Sequence, residues 1–112
     1  MQLNNFIYFY NEKDIIMHFD EHCNECLQKL GNPWAIIHIW LDEFAGKPGI
    51  GMKHRKFRHH QAGIDEVRTR WGYEAAEAAK LHIIADLEMD QWDYRHDPIP
   101  ENEEDYTKMG LF

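Results

Sequence analysis

Residues 53–86 read KHRKFRHHQAGIDEVRTRWGYEAAEAAKLHIIAD and hold four of the eight histidines of the chain. Phe57, Ile64, Val67 and Trp71 recur at helical spacing, so the pattern predicts a helix from about Met52 to Trp71, stopped by Gly72. His60 falls in the middle of that stripe, His54 at its margin, and His59 on the opposite, solvated side. The phase can slip by one residue at a kink near Gly63, which would exchange His59 and His60. A further helix, about Tyr73 to Met89, carries Ala75, Ala78, Ala79 and Ala85 on the side that holds His82. Small residues let helix backbones approach closely, which would press His82 and Asp86 toward their neighbours.

Toward the N-terminus, a helix is expected from Pro33 to Ala45, with Asn32 as N-cap and Pro33 in the first turn. It is apolar nearly all round, the mark of a central helix. Its polar exceptions, His38 and Asp42, repeat the four-residue spacing of His82 and Asp86. Gly31 closes an earlier helix from about Glu12 to Leu30, capped by Asn11 or Asp14. Ile15, Ile16, Phe19, Cys23, Cys26, Leu27 and Leu30 would form its inner face. Phe6–Tyr10 reads as an extended arm, or as an edge strand paired across a homodimer, because one strand has no sheet to join. Gly46–Gly51 is a glycine-rich loop.

Beyond Trp92 the chain turns acidic and proline-bearing, as expected of an extended segment that lies over the bundle or stays mobile. The expected architecture is therefore all-α. A four-helix-bundle-like domain with its N-terminal arm spans 1–92, and an extended acidic C-terminal segment spans 93–112.

At 112 residues and 44% hydrophobic content the chain fits one domain with a modest core. A formal charge of −8 argues against general nucleic-acid or anionic-membrane binding. No apolar run approaches the ~20 residues that span a bilayer. The N-terminus lacks a signal-peptide pattern, and two cysteines make no disulfide framework, so a cytoplasmic setting is expected. Lys53, Arg55, Lys56, Arg58, Arg68 and Arg70 are nevertheless half of the 12 basic residues. A local site for an anionic small molecule survives the global charge argument.

A His and an acid four residues apart lie on one helix face. His38, Asp42, His82 and Asp86, with His54 and His60 between them in sequence, offer up to six nitrogen and oxygen ligands. Such a set suits one or two divalent cations of the zinc, iron or manganese kind, built from facing helices. The competing reading is a buried hydrogen-bond network in which each Asp fixes the tautomer of a His. A second candidate is His18, His22, Cys23 and Cys26 on the first helix, although both cysteines also fit the apolar stripe. Lys53, Arg55 and Arg58 beside the glycine-rich loop could orient an anion. No Walker loop, nucleophile elbow or dinucleotide fingerprint is present.

The runs His38-x-Trp40-x-Asp42, His54-Arg55-x3-His59-His60-x2-Gly63-Ile64, Trp71-Gly72 and Leu81-His82-x3-Asp86-Leu87 resemble a small, uncharacterised bacterial and phage-associated helical domain family. The resemblance covers roughly residues 34–106, includes Ile99-Pro100 and Tyr106, and brings no assigned activity. A looser similarity of style links the chain to HD-type metal-dependent phosphohydrolases, although its inner histidines are not followed directly by Asp. Two functions are expected from this reading. One is a metal-dependent hydrolase of a phosphorylated or nucleotide-like small molecule. The alternative is a non-enzymatic helical module that binds a partner protein or sequesters a ligand, with or without a metal.

Overall fold

Among the described residues the protein is helical, with six α-helices, one 3-10 turn and no strand. A computed structural model describes residues 12–89 and 92–109, with side chains placed outside 12–17 and 51–52. The expected arm at Phe6–Tyr10, the cap at Asn11 and the side chains of Asp14, Ile15 and Ile16 lie outside what is described.

Helix α1 spans Glu12–Leu30. It stops where Gly31 adopts φ 78° and returns its N–H to the Leu27 carbonyl at 3.0 Å. Its inner face differs from the expected one. His22 and Cys26 point inward, whereas Leu27 is 49% exposed.

The next helix, α2, is shorter than Pro33–Ala45 and spans Ala35–Leu41. The Asn32 side chain accepts the Trp34 N–H at 2.9 Å, and Trp34 takes a left-handed φ of 53°. That turn delays the helix start past Pro33. Across the fold, the Trp34 indole donates to Glu74 Oε2 at 2.9 Å. Nor is α2 central on every side, since Ile36 and Ile39 are exposed.

The expected continuous helix over Met52–Trp71 is broken into a 3-10 turn at Gly51–His54, α3 at Arg55–Arg58 and α4 at Gln61–Trp71. The cause lies at the break. His60 is extended, and its Nδ1 accepts the Gly63 N–H at 3.0 Å, so it serves as the N-cap of α4. A Cβ on Gly63 would stand 1.9 Å from the Arg58 carbonyl oxygen, so only glycine allows this reversal.

Gly72, at φ 100°, then turns the chain into α5, Tyr73–Glu88, which packs along α4. Of the expected alanine line on α5, Ala75, Ala78 and Ala79 are buried, as the small-residue argument requires, with Ala76 beside them, whereas Ala85 is half-buried at the cleft. Ile37, Leu41, Ile64, Val67, Ile83 and Leu87 fill the core with them.

The C-terminal segment is not wholly extended. It contains α6, Glu103–Met109, and Tyr106 is fully buried. The carbonyls of Pro100 and Glu101 accept the N–H groups of Gln61 and Ala62 at 2.8 and 3.0 Å. Tyr106 donates to the His59 carbonyl at 2.6 Å. These bonds satisfy helix-end groups that α4 cannot satisfy itself, which is why the acidic segment docks there.

Candidate metal centre

Four side chains from three parts of the fold converge in the interior. Asp42 stands at the end of α2, where its N–H caps the helix on the His38 carbonyl at 3.1 Å. His59 occupies the break between α3 and α4, and His82 and Asp86 lie one turn apart on α5. His59 Nε2 sits 3.2 Å from Asp42 Oδ1 and 3.1 Å from Asp86 Oδ2. His82 Nε2 sits 3.2 Å from each of the same two oxygens. One donor atom from each residue falls within 4.8 Å of the others.

The four imidazole–carboxylate separations match edges of a coordination shell. Ligands about 2.0 Å from a tetrahedral ion lie about 3.3 Å from one another. Two imidazoles and two carboxylates form a nitrogen and oxygen set that could hold a divalent cation.

Hydrogen-bond chemistry beside the cluster fixes the tautomer of His82. His38 Nε2 lies 2.9 Å from the Pro33 carbonyl, which can only accept, so Nε2 carries the His38 proton. The neutral His38 therefore presents a lone pair at Nδ1, 2.9 Å from His82 Nδ1. His82 must donate from Nδ1, and its Nε2 faces two carboxylate oxygens. A bare lone pair there would be repelled, so Nε2 needs either a proton or a metal ion. Such an outer partner for a ligating histidine is the usual support of a metal site.

The electrostatics agree. Burial pushes the His38 imidazole down to about 4, helped by His82 and His22. Burial alone would also lower His82, but Asp42 and Asp86 outweigh it and raise His82 to about 10. Burial opposes ionisation of both carboxyls. The His82 charge and imidazole hydrogen bonds nevertheless hold Asp42 and Asp86 well below the ordinary carboxylate value. Burial lowers His59, against the pull of the same two carboxylates. The metal-free cluster thus has two carboxylates held by one imidazolium, a poise that a divalent cation can replace.

Two further imidazoles flank the four. His54 Nε2 approaches Asp42 Oδ1 at 3.1 Å, the same oxygen that faces His59 and His82. His22 Nε2 approaches Asp86 at 3.1 Å, but at Oδ1, the oxygen turned away from the four-atom set. His22 also stacks on His82 with ring centroids 3.7 Å apart and planes 17° from parallel. His22 and Asp86 then form the inner wall of a cleft of about 530 Å3, with His18, Glu21, Glu25 and Lys29 among its other walls.

Of the residues expected at the metal, Asp42, His82 and Asp86 meet in the four-membered set. His54 adjoins it through Asp42, and His38 stands behind His82. The expected placement of His59 and His60 is reversed, because the helix breaks at these two residues instead of slipping in phase at a kink near Gly63. His59 is fully buried in the cluster, whereas His60 spends both ring nitrogens on backbone, donating to the Phe57 carbonyl at 3.1 Å.

The expected anion-orienting residues are not gathered at the cleft. Arg58 donates to the Trp40 carbonyl and to Glu43 Oε1, each at 2.6 Å, and stacks over the Trp40 ring. Arg55 is buried in α3, and Lys53 is exposed on the 3-10 turn. The alternative set on α1 is divided. His22 turns to Asp86, while Cys26 points its thiol at the Ala78 carbonyl, and burial raises it to about 11. His22 was legible in part, because it shares a helical strip with the buried Cys26.

Comparisons of the chain with family models, with curated proteins and with solved structures return no match. Among the described residues, no helix is long and apolar enough to cross a membrane.

Proposed function

We propose that this protein holds a divalent transition-metal ion on Asp42, His59, His82 and Asp86 and uses it to hydrolyse a phosphorylated or nucleotide-like small molecule. The observation that carries the metal is the set of four imidazole–carboxylate separations of 3.1–3.2 Å. The tautomer of His82 is consistent with it, since Nε2 needs a proton or a metal ion between itself and the two carboxylates. For hydrolysis, support comes from the cleft, which brings solvent to the Asp86 edge of the cluster. A cation at such an edge lowers the pKa of bound water and polarises a phosphoryl oxygen. Lys53, Arg55 and Arg58 have no supported part in it; within the cleft wall the basic side chain is Lys29, which pairs with Glu25 at 2.9 Å.

A second reading, metal binding without turnover, is favoured by one feature. Four protein ligands already complete a tetrahedron, and closed shells are typical of structural sites. The two are separated by assaying metal-loaded protein with p-nitrophenyl phosphate and bis(p-nitrophenyl) phosphate. Turnover that vanishes on chelation and in Asp86→Asn is the result expected of the hydrolase. Stoichiometric metal with no turnover of either ester would move the protein to the second reading.

A further inference from the structure

We propose that the centre is dinuclear, with a second divalent cation held at the cleft by His22 Nε2 and Asp86 Oδ1, and Asp86 bridging the two ions. This rests on the first ion's being bound as proposed above. The inference starts from the supply of ligands. A single tetrahedral ion uses one oxygen of Asp86 and leaves the other facing the Nε2 of His22. Those two atoms are 3.1 Å apart, the same separation seen along the edges of the first set.

His22 and His82 are also placed as a pair. Their rings are nearly parallel, 3.7 Å apart, and each directs Nε2 at a different oxygen of the same carboxylate. Ions placed one on each ring would therefore be separated by about the ring spacing. Carboxylate-bridged two-metal sites have ions about 3.5–4 Å apart. His54 does not make the same case, because it approaches the oxygen of Asp42 that already faces the first ion. It stays outside the set of four whose donor atoms lie within 4.8 Å of one another.

The position of His22 points the same way. His22 is 5% exposed and held by its stack on His82, so its ligating nitrogen is fixed in place. Yet it lies on the wall of the cleft, where His18 and Glu21 stand nearby. The inner ion is enclosed by protein ligands, whereas the outer one would keep water in its remaining positions. Exchangeable positions are what a hydrolytic site requires.

The test uses the full chain loaded with Mn2+ and freed of loose metal by gel filtration. Metal content and electron paramagnetic resonance are recorded for wild type, His22→Ala and His82→Ala. Two ions per chain with an exchange-coupled spectrum in wild type are expected. His22→Ala should fall to one ion with an isolated-ion spectrum. One ion per chain in wild type, unchanged in His22→Ala, would overturn the second site and leave the first intact, with His22 a hydrogen-bond donor to Asp86. No ion in any sample would overturn both. The wild-type count and spectrum decide the matter even where a variant fails to fold.

Discussion

His38 acts on the centre without touching the proposed ion. Its proton is committed to the Pro33 carbonyl, which sets the proton of His82 on Nδ1 and points the other lone pair at Asp42 and Asp86. Losing an outer partner of this kind typically weakens metal binding 10–100-fold. His38→Ala is therefore expected to lower Zn2+ affinity by about that factor, measured by competition with a chromophoric chelator. An unchanged affinity would mean that the relay does not orient His82. At this scale the sequence was readable where chemistry is local. The spacing of His82 and Asp86 alone puts both on one helix face. It could not say that His38 bonds to His82 rather than to Asp42, because that choice depends on how α2 crosses α5.

The decisive element is the break between α3 and α4. Helical periodicity assigned His60 to the core, and the phase failed because His60 leaves the helix to cap the next one. The glycine that signals such a break is in the sequence, but its need is visible only where the Arg58 carbonyl closes on it. Gly63→Ala must displace backbone, and overpacking of that sort costs roughly 1–3 kcal/mol. We expect a lower urea midpoint for Gly63→Ala together with loss of metal, since His59 moves with the break. Normal stability and normal metal content would show that the break tolerates a side chain.

The C-terminal segment holds the same break from outside, through Tyr106 and the Pro100 and Glu101 carbonyls. Tyr106→Phe removes one hydrogen bond from a buried carbonyl and should cost about 1 kcal/mol in denaturant unfolding. Composition marked this segment as acidic and poor in aliphatics, which concealed a helix anchored by one aromatic residue. The alanine face of α5 was legible at Ala75, Ala78 and Ala79 because it rests on periodicity along an unbroken helix, whereas on α1 the same reasoning placed Leu27 inside and missed His22.

At the scale of the whole molecule, the cluster couples stability to pH and to metal. In the metal-free protein His82 is raised to about 10. Its contribution is complete below the unfolded imidazole value of about 6.5 and is lost as pH rises through about 10. His38 and His59 are lowered, so their contributions are lost as pH falls below about 6.5. Asp42 and Asp86 are also lowered, and theirs are lost only on stronger acidification. The urea midpoint of metal-free protein should therefore decline from about pH 7 toward pH 10, and also on the acid side. A metal ion takes the place of the His82 proton, so the metal-loaded protein should not show the alkaline decline. A flat alkaline profile without metal would contradict the charge state assigned to His82.

Helical periodicity gave the all-α class found among the described residues. Net charge and apolar content carried no information about the site, because its four residues come from segments that sequence separates and packing joins.

The central claim is that Asp42, His59, His82 and Asp86 together hold a metal ion. Native mass spectrometry of wild type, His59→Ala and His60→Asn, each offered Zn2+ and desalted, tests it most directly. Asparagine keeps a capping side chain at position 60, so that variant preserves the start of α4. Retained metal in wild type and His60→Asn, with loss in His59→Ala, is the expected result. Metal kept by His59→Ala but lost from His60→Asn, or no metal bound by folded wild type, would contradict it.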